Sequence, residues 1–514
     1  MKFWILKGSL LLACSIAHAS TGIDHVNEYQ VKKFSGEMEN SYTGHVVKDA
    51  GDINGDLIND IIIGSNQSSG TFGAYVVLGR SDRNVLDLPL SSLSGENGFK
   101  IITTETGDSL GFAVDKLGDV NGDGLDDLIV GAHTSSVNGT DSGQAFVIYG
   151  SEDVFPGVFN VSDLNGKNGF AINGADLGTH LGFSVSYAGD VNNDGTNDIL
   201  IGNYFANHNG VESGSVYLIF GSKDLDSPAV DINTLNGLNG FRVDGEVTGD
   251  RFGGSVSSAG DFNDDGFDDL LIGAILNDSN GDRSGSSYVV FGQSSFAAIV
   301  NTNGLDGTDG ISIVGEASLD RLGYRVLGAG DVNMDDIDDV MISSLTPGSL
   351  GSRGGIVYIV FGQSEFSTGS FDVGFSDGLL GSKIIGRFDH DTLFGFSFTT
   401  GFDLNGDGFS DFAVGAPFMD SDSVFNGNGV LFIIYGGSWV LQPTIINIAD
   451  LNGINGFAVH GEHDKDELGV GVSSVIDWNG DGFNDLLVGA RRVNNKGSAY
   501  LMMKPIDLIF KNGF

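Results

Sequence analysis

The sequence predicts an all-β chain: a seven-bladed β-propeller of four-stranded antiparallel blades, with the last blade closed by the N-terminal strand. Three observations carry that prediction. One acidic loop recurs seven times, at intervals of about 70 residues. Each interval holds four short runs of strand-like patterning joined by turn residues, with no helical period. The two ends of the array complete one another: the first loop is preceded by an orphan strand, and the last repeat stops where its fourth strand would begin.

The third repeat shows each element. "GFAING" (169–174) and "LGFSVSYAG" (181–189) alternate apolar with small or polar residues, as half-buried strands do. The acidic loop follows. Then "DILIGN" (198–203) runs apolar without a break, which suits a strand buried on both faces. A polar, glycine-rich loop leads to "GSVYLIFG" (214–221), rich in β-branched and aromatic residues. At the ends, "EYQVKKFSG" (28–36) matches the "NGFxIxG" strand of later repeats, and the final repeat has "GSAYLMM" (497–503) before halting at "KNGF" (511–514). The N-terminal strand is therefore expected to complete the last blade. Residues 28–514 form one propeller in this reading, with no segment left over for a separate catalytic domain.

The loop carries the chemistry. Counting from its first aspartate, positions 1, 3, 5 and 9 are Asp, Asn, Asp and Asp in all seven copies. They are Asp52, Asn54, Asp56 and Asp60; Asp119, Asn121, Asp123 and Asp127; Asp190, Asn192, Asp194 and Asp198. Then come Asp261, Asn263, Asp265 and Asp269; Asp331, Asn333, Asp335 and Asp339; Asp403, Asn405, Asp407 and Asp411; Asp477, Asn479, Asp481 and Asp485. Alternating carboxylates and amides in a tight loop can all turn inward on a hard cation that wants six to eight oxygens. Nitrogen and thiolate ligands are missing from the loop, which argues against zinc or copper. An EF-hand would place a bidentate Glu at position 12. Here that position is Ile63, Val130, Ile201, Ile272, Ile342, Val414 and Val488, all strand-forming residues. The loop therefore reads as a β-hairpin connection holding Ca²⁺, up to seven ions in all. Position 6 is Gly in five copies and should need a positive φ. Leu57 in blade 1 and Asp336 in blade 5 stand there instead and are expected to weaken their sites.

Each repeat resembles an FG-GAP repeat, the blade unit of integrin α-subunit propellers and of bacterial integrin-α-like proteins. The "FG" element stands as Gly111-Phe112, Gly182-Phe183, Phe252-Gly253 and Phe394-Gly395-Phe396. The "GA(P)" element stands as Gly131-Ala132, Gly273-Ala274, Gly415-Ala416-Pro417 and Gly489-Ala490. Blade 5 departs with Ser343-Ser344, and blade 1 with Tyr42-Thr43-Gly44. The resemblance implies a calcium-binding adhesion or recognition module, non-enzymatic, with a protein or glycan partner. It places the ligand on the face opposite the calcium loops, where Tyr204, Phe205, His208, Arg283, Phe418 and Phe425 are the notable side chains. FG-GAP repeats also accompany the catalytic domain of some phospholipases. Rival readings are a propeller hydrolase or lyase and a structural envelope component. No catalytic constellation is evident: "HGEHDKDE" (460–467) offers His460 and His463 but is not H-E-x-x-H, and there is no G-x-S-x-G.

A net charge of −43 argues against nucleic acid or anionic membrane as direct partners. The first 19 residues read as a signal peptide: Lys2 and Lys7, an apolar run, then Ala17-His18-Ala19. Residues 20–27 would be a short linker. Cleavage there predicts a secreted or cell-surface protein, periplasmic or outer-membrane-associated in a Gram-negative cell. A second reading takes Leu11-Leu12-Ala13-Cys14 as a lipobox, with Cys14 a lipid anchor. No transmembrane segment is expected.

Overall fold

The computed structural model describes residues 30–66, 72–81, 87–346, 354–374, 381–386, 393–419 and 427–504. Seven sheets follow one another around a central channel. Blade 3 is typical. Its innermost strand, Leu181–Gly189, pairs with Asp198–Asn203, which pairs with Ser215–Ile219, which pairs with Gly240–Asp244, all antiparallel. The outermost strand of each blade is thus the first strand of the next sequence repeat, and the repeat and the blade are offset by one strand. The ring closes as expected: Gln30–Ser35 pairs antiparallel with Ser498–Met503, running from Gln30 opposite Met503 to Ser35 opposite Ser498.

The unbroken apolar runs are second strands, and burial on both sides explains their composition. In Asp127–Ala132, Ile129 packs with Val185, Ile199 and Tyr217 of blade 3. Leu128 and Val130 pack with Ile62, Val76 and Phe99 of blade 1. Each core therefore lies between two blades. The signature glycines hold the blades close: a Cβ on Gly131, Gly202, Gly273, Gly415 or Gly489 would overlap the carbonyl oxygen of Gly182, Gly253, Gly323, Gly469 or Gly44 in the neighbouring blade. The "GA" glycine of one blade exists to receive the "FG" glycine of the next.

All seven blades have the expected four antiparallel strands. In six sheets a short fifth strand runs parallel to the outermost one, as Ala229–Asp231 does beside Gly169–Asn173. It comes from the connection between third and fourth strands of the following blade. That connection reaches back and covers its neighbour's outer edge. With three residues or fewer per strand, nothing in the sequence pattern marks it. Among the described residues blade 6 has four strands. No helix among them is long and apolar enough to cross a membrane. Residues 1–29, including Cys14 and the expected cleavage site, and 505–514, including "KNGF", lie outside the described residues.

Candidate functional site: an acidic face and an aromatic–arginine collar

All seven acidic loops connect the innermost strand of a blade to its second strand, so they share one face. Blade 2 shows the construction. Asp119 accepts the N–H groups of Gly122 (2.6 Å) and Asp123 (3.1 Å) on Oδ1, and that of Gly124 (2.8 Å) on Oδ2. Asn121 Oδ1 accepts the Asp123 N–H at 2.9 Å, and its Nδ2 donates to Asp123 Oδ2 at 2.9 Å. Position 6 takes positive φ in every copy: Leu57 at 67° and Asp336 at 70°, beside five glycines near 90°. Position 4 does the same, even where it is Asn193, Asp264 or Met334.

The ninth-position aspartates are the buried members. Asp127 is fully buried; its Oδ2 accepts from Val120 N–H (3.0 Å) and its Oδ1 from Gly150 N–H (2.9 Å) at the end of the third strand. Five other blades repeat the pair. In blade 7 Lys504 replaces that glycine, and Asp485 Oδ1 is left buried without a donor. Burial pushes the Asp127 carboxyl up to about 8 against its two N–H donors, with the charges of Asp123 and Asp119 adding to the rise. Asp198, Asp339 and Asp485 are also raised to about 8 and Asp411 to about 7, again chiefly by burial.

These residues fit a calcium ion chemically. Carboxylates buried deeply enough to hold a proton near neutral pH, beside other carboxylates, are stabilised by a divalent cation in its place. Buried acceptors without donors, Asn333 Oδ1, Asn479 Oδ1 and Asp485 Oδ1, sit in the loops of blades 5 and 7. Among the described residues no three His, Cys, Asp or Glu side chains are drawn together as a metal cage. The loop oxygens are turned to backbone N–H groups instead. Positions 1, 3, 5 and 9 would hold the ion, which would supply positive charge and no reaction chemistry. Blade 1 makes the same hydrogen bonds as blade 2 despite Leu57, whereas blades 5 and 7 lack the Asn-to-Asp bond.

The loops of blades 1 to 4 and 7 also grip the next blade. Asp126 of blade 2 accepts the Asp52 N–H of blade 1 at 2.7 Å; Asp268 and Asp338 do the same for Asp190 (2.7 Å) and Asp261 (3.0 Å). Ser151, Ser222, Gln293 and Gln363 donate their N–H groups to the position-2 carbonyl of the preceding loop. The loop belongs to an interblade joint as well as to a hairpin.

The opposite face is built differently. Phe112 and Phe183 of the "FG" elements lie 5.2 Å apart at the channel mouth, and Phe112 meets His45 at 5.2 Å and His133 at 4.4 Å. Phe183 stacks on Tyr204 at 4.6 Å, and Arg251 lies over both Tyr204 (5.4 Å) and Phe205 (5.0 Å). On the far side Tyr324, Phe396 and Phe418 follow in sequence at 5.6 and 5.9 Å, with Arg491 over Phe418. Arg491 donates to His45 Nδ1 at 3.1 Å, which joins the two arcs of the collar. Burial, with the charges of Arg491 and Arg325 reinforcing it, lowers His45 to about 3; burial lowers His133 to about 4.

Of the side chains expected to meet a ligand, Tyr204 is buried within this collar, and Phe205 and Phe418 are half-buried parts of it. They serve as its wall. His208 and Arg283 are exposed further out; His208 Nε2 is 3.3 Å from the Tyr217 hydroxyl. Phe425 lies outside the described residues. His460 ends the outermost strand of blade 6, while His463 stands exposed with Asp466 at 3.5 Å. Sequence reasoning missed His45, Phe112, His133, Phe183, Arg251, Tyr324, Arg325, Phe396 and Arg491 as site residues. The phenylalanines were visible as "FG" elements, but which end of the channel they face depends on the closed ring.

Four segments, 112–148, 182–219, 252–290 and 394–433, match the FG-GAP repeat family. The chain is 27% identical to integrin alpha pat-2 of Caenorhabditis elegans over 247 residues, 47% of this chain and 18% of that protein. It is 26% identical to the phosphatidylinositol-glycan-specific phospholipase D of Dictyostelium discoideum over 511 residues, 90% of this chain and 51% of that protein. With integrin alpha-5 of Xenopus laevis it shares 28% over 274 residues, 52% of this chain and 23% of that protein. The chain thus spans about half the length of the phospholipase and less than a quarter of the integrins.

Proposed function

We propose that this FG-GAP-repeat propeller, integrin-alpha-like in sequence and fold, is a calcium-stabilised recognition module that works outside the cytoplasm. The observation that carries the reading is the division between its faces. One face repeats the same acidic loop in all seven blades. The other is an asymmetric collar of aromatic and arginine side chains around the channel mouth. Repetition suits a scaffold held by cations; asymmetry suits a surface that distinguishes partners. The partner would be an extracellular protein or glycan, and the module would have no catalytic role of its own. Binding of the calcium-loaded protein to arrays of matrix proteins and glycans tests this. A hit lost when Arg251 and Phe205 are replaced supports it; hits that ignore the collar count against it.

A second reading rests on one observation, the alignment with a phospholipase D along nine-tenths of this chain. Hydrolysis of glycosylphosphatidylinositol-anchored substrates by the purified chain would favour it over recognition.

A further inference from the structure

The inner strands of the seven blades break their symmetry at one place. At the register position that opens the channel, six blades carry Val46, Ala113, Ser184, Ser255, Ser397 and Gly471. Blade 5 alone carries Arg325. Its guanidinium lies 5.9 Å from the Tyr324 ring, and both Arg325 and Arg491 act on His45 of blade 1. The channel behind it is a cavity of about 140 Å³ walled by Val47, Val114, Val185, Val256, Val326 and Val472.

Positive charge collects at this mouth in a chain whose net charge is −43. Arg251 is paired with Glu212 at 2.9 Å, and Arg491 and Arg492 share the single carboxylate of Glu467 at 2.5 and 2.8 Å. Arg325 and Arg321 have no carboxylate partner among the described residues, and Arg321 Nε is buried without a hydrogen-bond partner. Five guanidinium groups thus face two carboxylates. The channel hydroxyls are already committed: Ser184 and Ser397 donate to the carbonyls of Gly253 and Gly469, Ser255 accepts the Val326 N–H, and Thr399 accepts the Ser474 N–H. A carboxylate arriving at the mouth meets the Arg325 guanidinium before the valines behind it.

We propose that the collar is a receptor for an acidic peptide, with a glutamate side chain of the partner entering the channel mouth to pair with Arg325. This rests on the recognition reading and names its ligand class. Arg325 over Tyr324 and Arg491 over Phe418 make the same place repulsive to a cationic side chain.

The probe is a fluorescent glutamate-rich peptide, measured by anisotropy against the calcium-loaded protein, with a glutamine-rich peptide and an oligogalacturonate as parallel arms. The glutamate peptide should bind and the glutamine peptide should not. Arg325→Met, which keeps the stem and removes the charge, should weaken binding at least about tenfold. Arg325→Lys should restore part of it. Arg321→Gln, at the rim, should weaken binding less, and provides a second reading if Arg325→Met is poorly folded. Arg242→Gln, whose guanidinium is paired with Asp244 on an outer strand, should change nothing. Absent binding, binding untouched by both Arg325→Met and Arg321→Gln, or equal binding of the oligogalacturonate overturns the proposal. A partner found on arrays but indifferent to Arg325 would sink this inference alone. Phospholipase turnover with no partner would sink the recognition reading beneath it.

Discussion

The two faces of this propeller solve opposite electrostatic problems. On the loop face, each blade gathers four oxygen-bearing side chains, one of them a buried aspartate; on the collar face, guanidinium groups and imidazoles gather around aromatic rings. Each face is therefore strained by its own sign of charge, and each has its own way of relieving the strain. Under the proposed function the loop face takes up cations, and protons where cations are withheld. The collar keeps its buried histidines neutral and spreads its arginines over aromatic rings.

The largest effect expected from a single substitution is on the loop face. Asp127→Ala removes a fully buried carboxylate and leaves the N–H groups of Val120 and Gly150 unpaired. Two unmatched buried donors cost about 2–6 kcal/mol, before any loss of cation binding. Chemical denaturation in calcium measures it. The same change at Asp485, where only the Trp478 N–H is bound, should cost less.

Next in size is an inverted pH dependence. With chelator present, Asp127, Asp198, Asp339 and Asp485 carry folded pKa values near 8, above the unfolded value of about 3.9. The folded state then binds more protons between those limits. The stability these four carboxyls contribute is full below pH 4 and is lost as pH rises toward 8. The collar does the reverse. His45 and His133, lowered to about 3 and 4, contribute stability present above their unfolded value of about 6.5 and lost as pH falls toward 4. Melting curves from pH 4 to 8, with and without calcium, separate the two: calcium should erase the alkaline loss and leave the acid loss. His133→Phe should reduce the acid loss.

Smaller still is the expected gain from Leu57→Gly. Leu57 is 92% exposed and held at φ 67°, so its side chain packs against little and strains the backbone. Relief of about 1 kcal/mol follows. A loss of stability on this substitution would show that Leu57 does something other than fill a left-handed position.

What could be read from the chain differs between the faces for the same reason. The acidic loops are local: their form is set within twelve residues, so the positive φ at Leu57 and Asp336 follows from their place beside five glycines. Ring closure was also readable, because Gln30–Ser35 repeats a pattern found elsewhere in the chain. The fifth strands were not, since Ala229–Asp231 exists only where a neighbouring blade offers Gly169–Asn173. Tyr204 was expected on the ligand surface because its loop lies on the face opposite the acidic loops; it is buried because Phe183, over twenty positions earlier in the chain, stacks on it. Arg325 gives no local signal at all. It becomes conspicuous only when seven inner strands stand side by side and six of them show a small or aliphatic residue.

The central claim is that the acidic loops are cation-held joints between blades rather than polar turns. Thermal unfolding of the chain in millimolar calcium and again with excess chelator tests it most directly. With ions bound only to the folded state, and each joint touching two blades, the account predicts a melting temperature lower by about 10 °C or more without calcium. An unchanged melting temperature would contradict it.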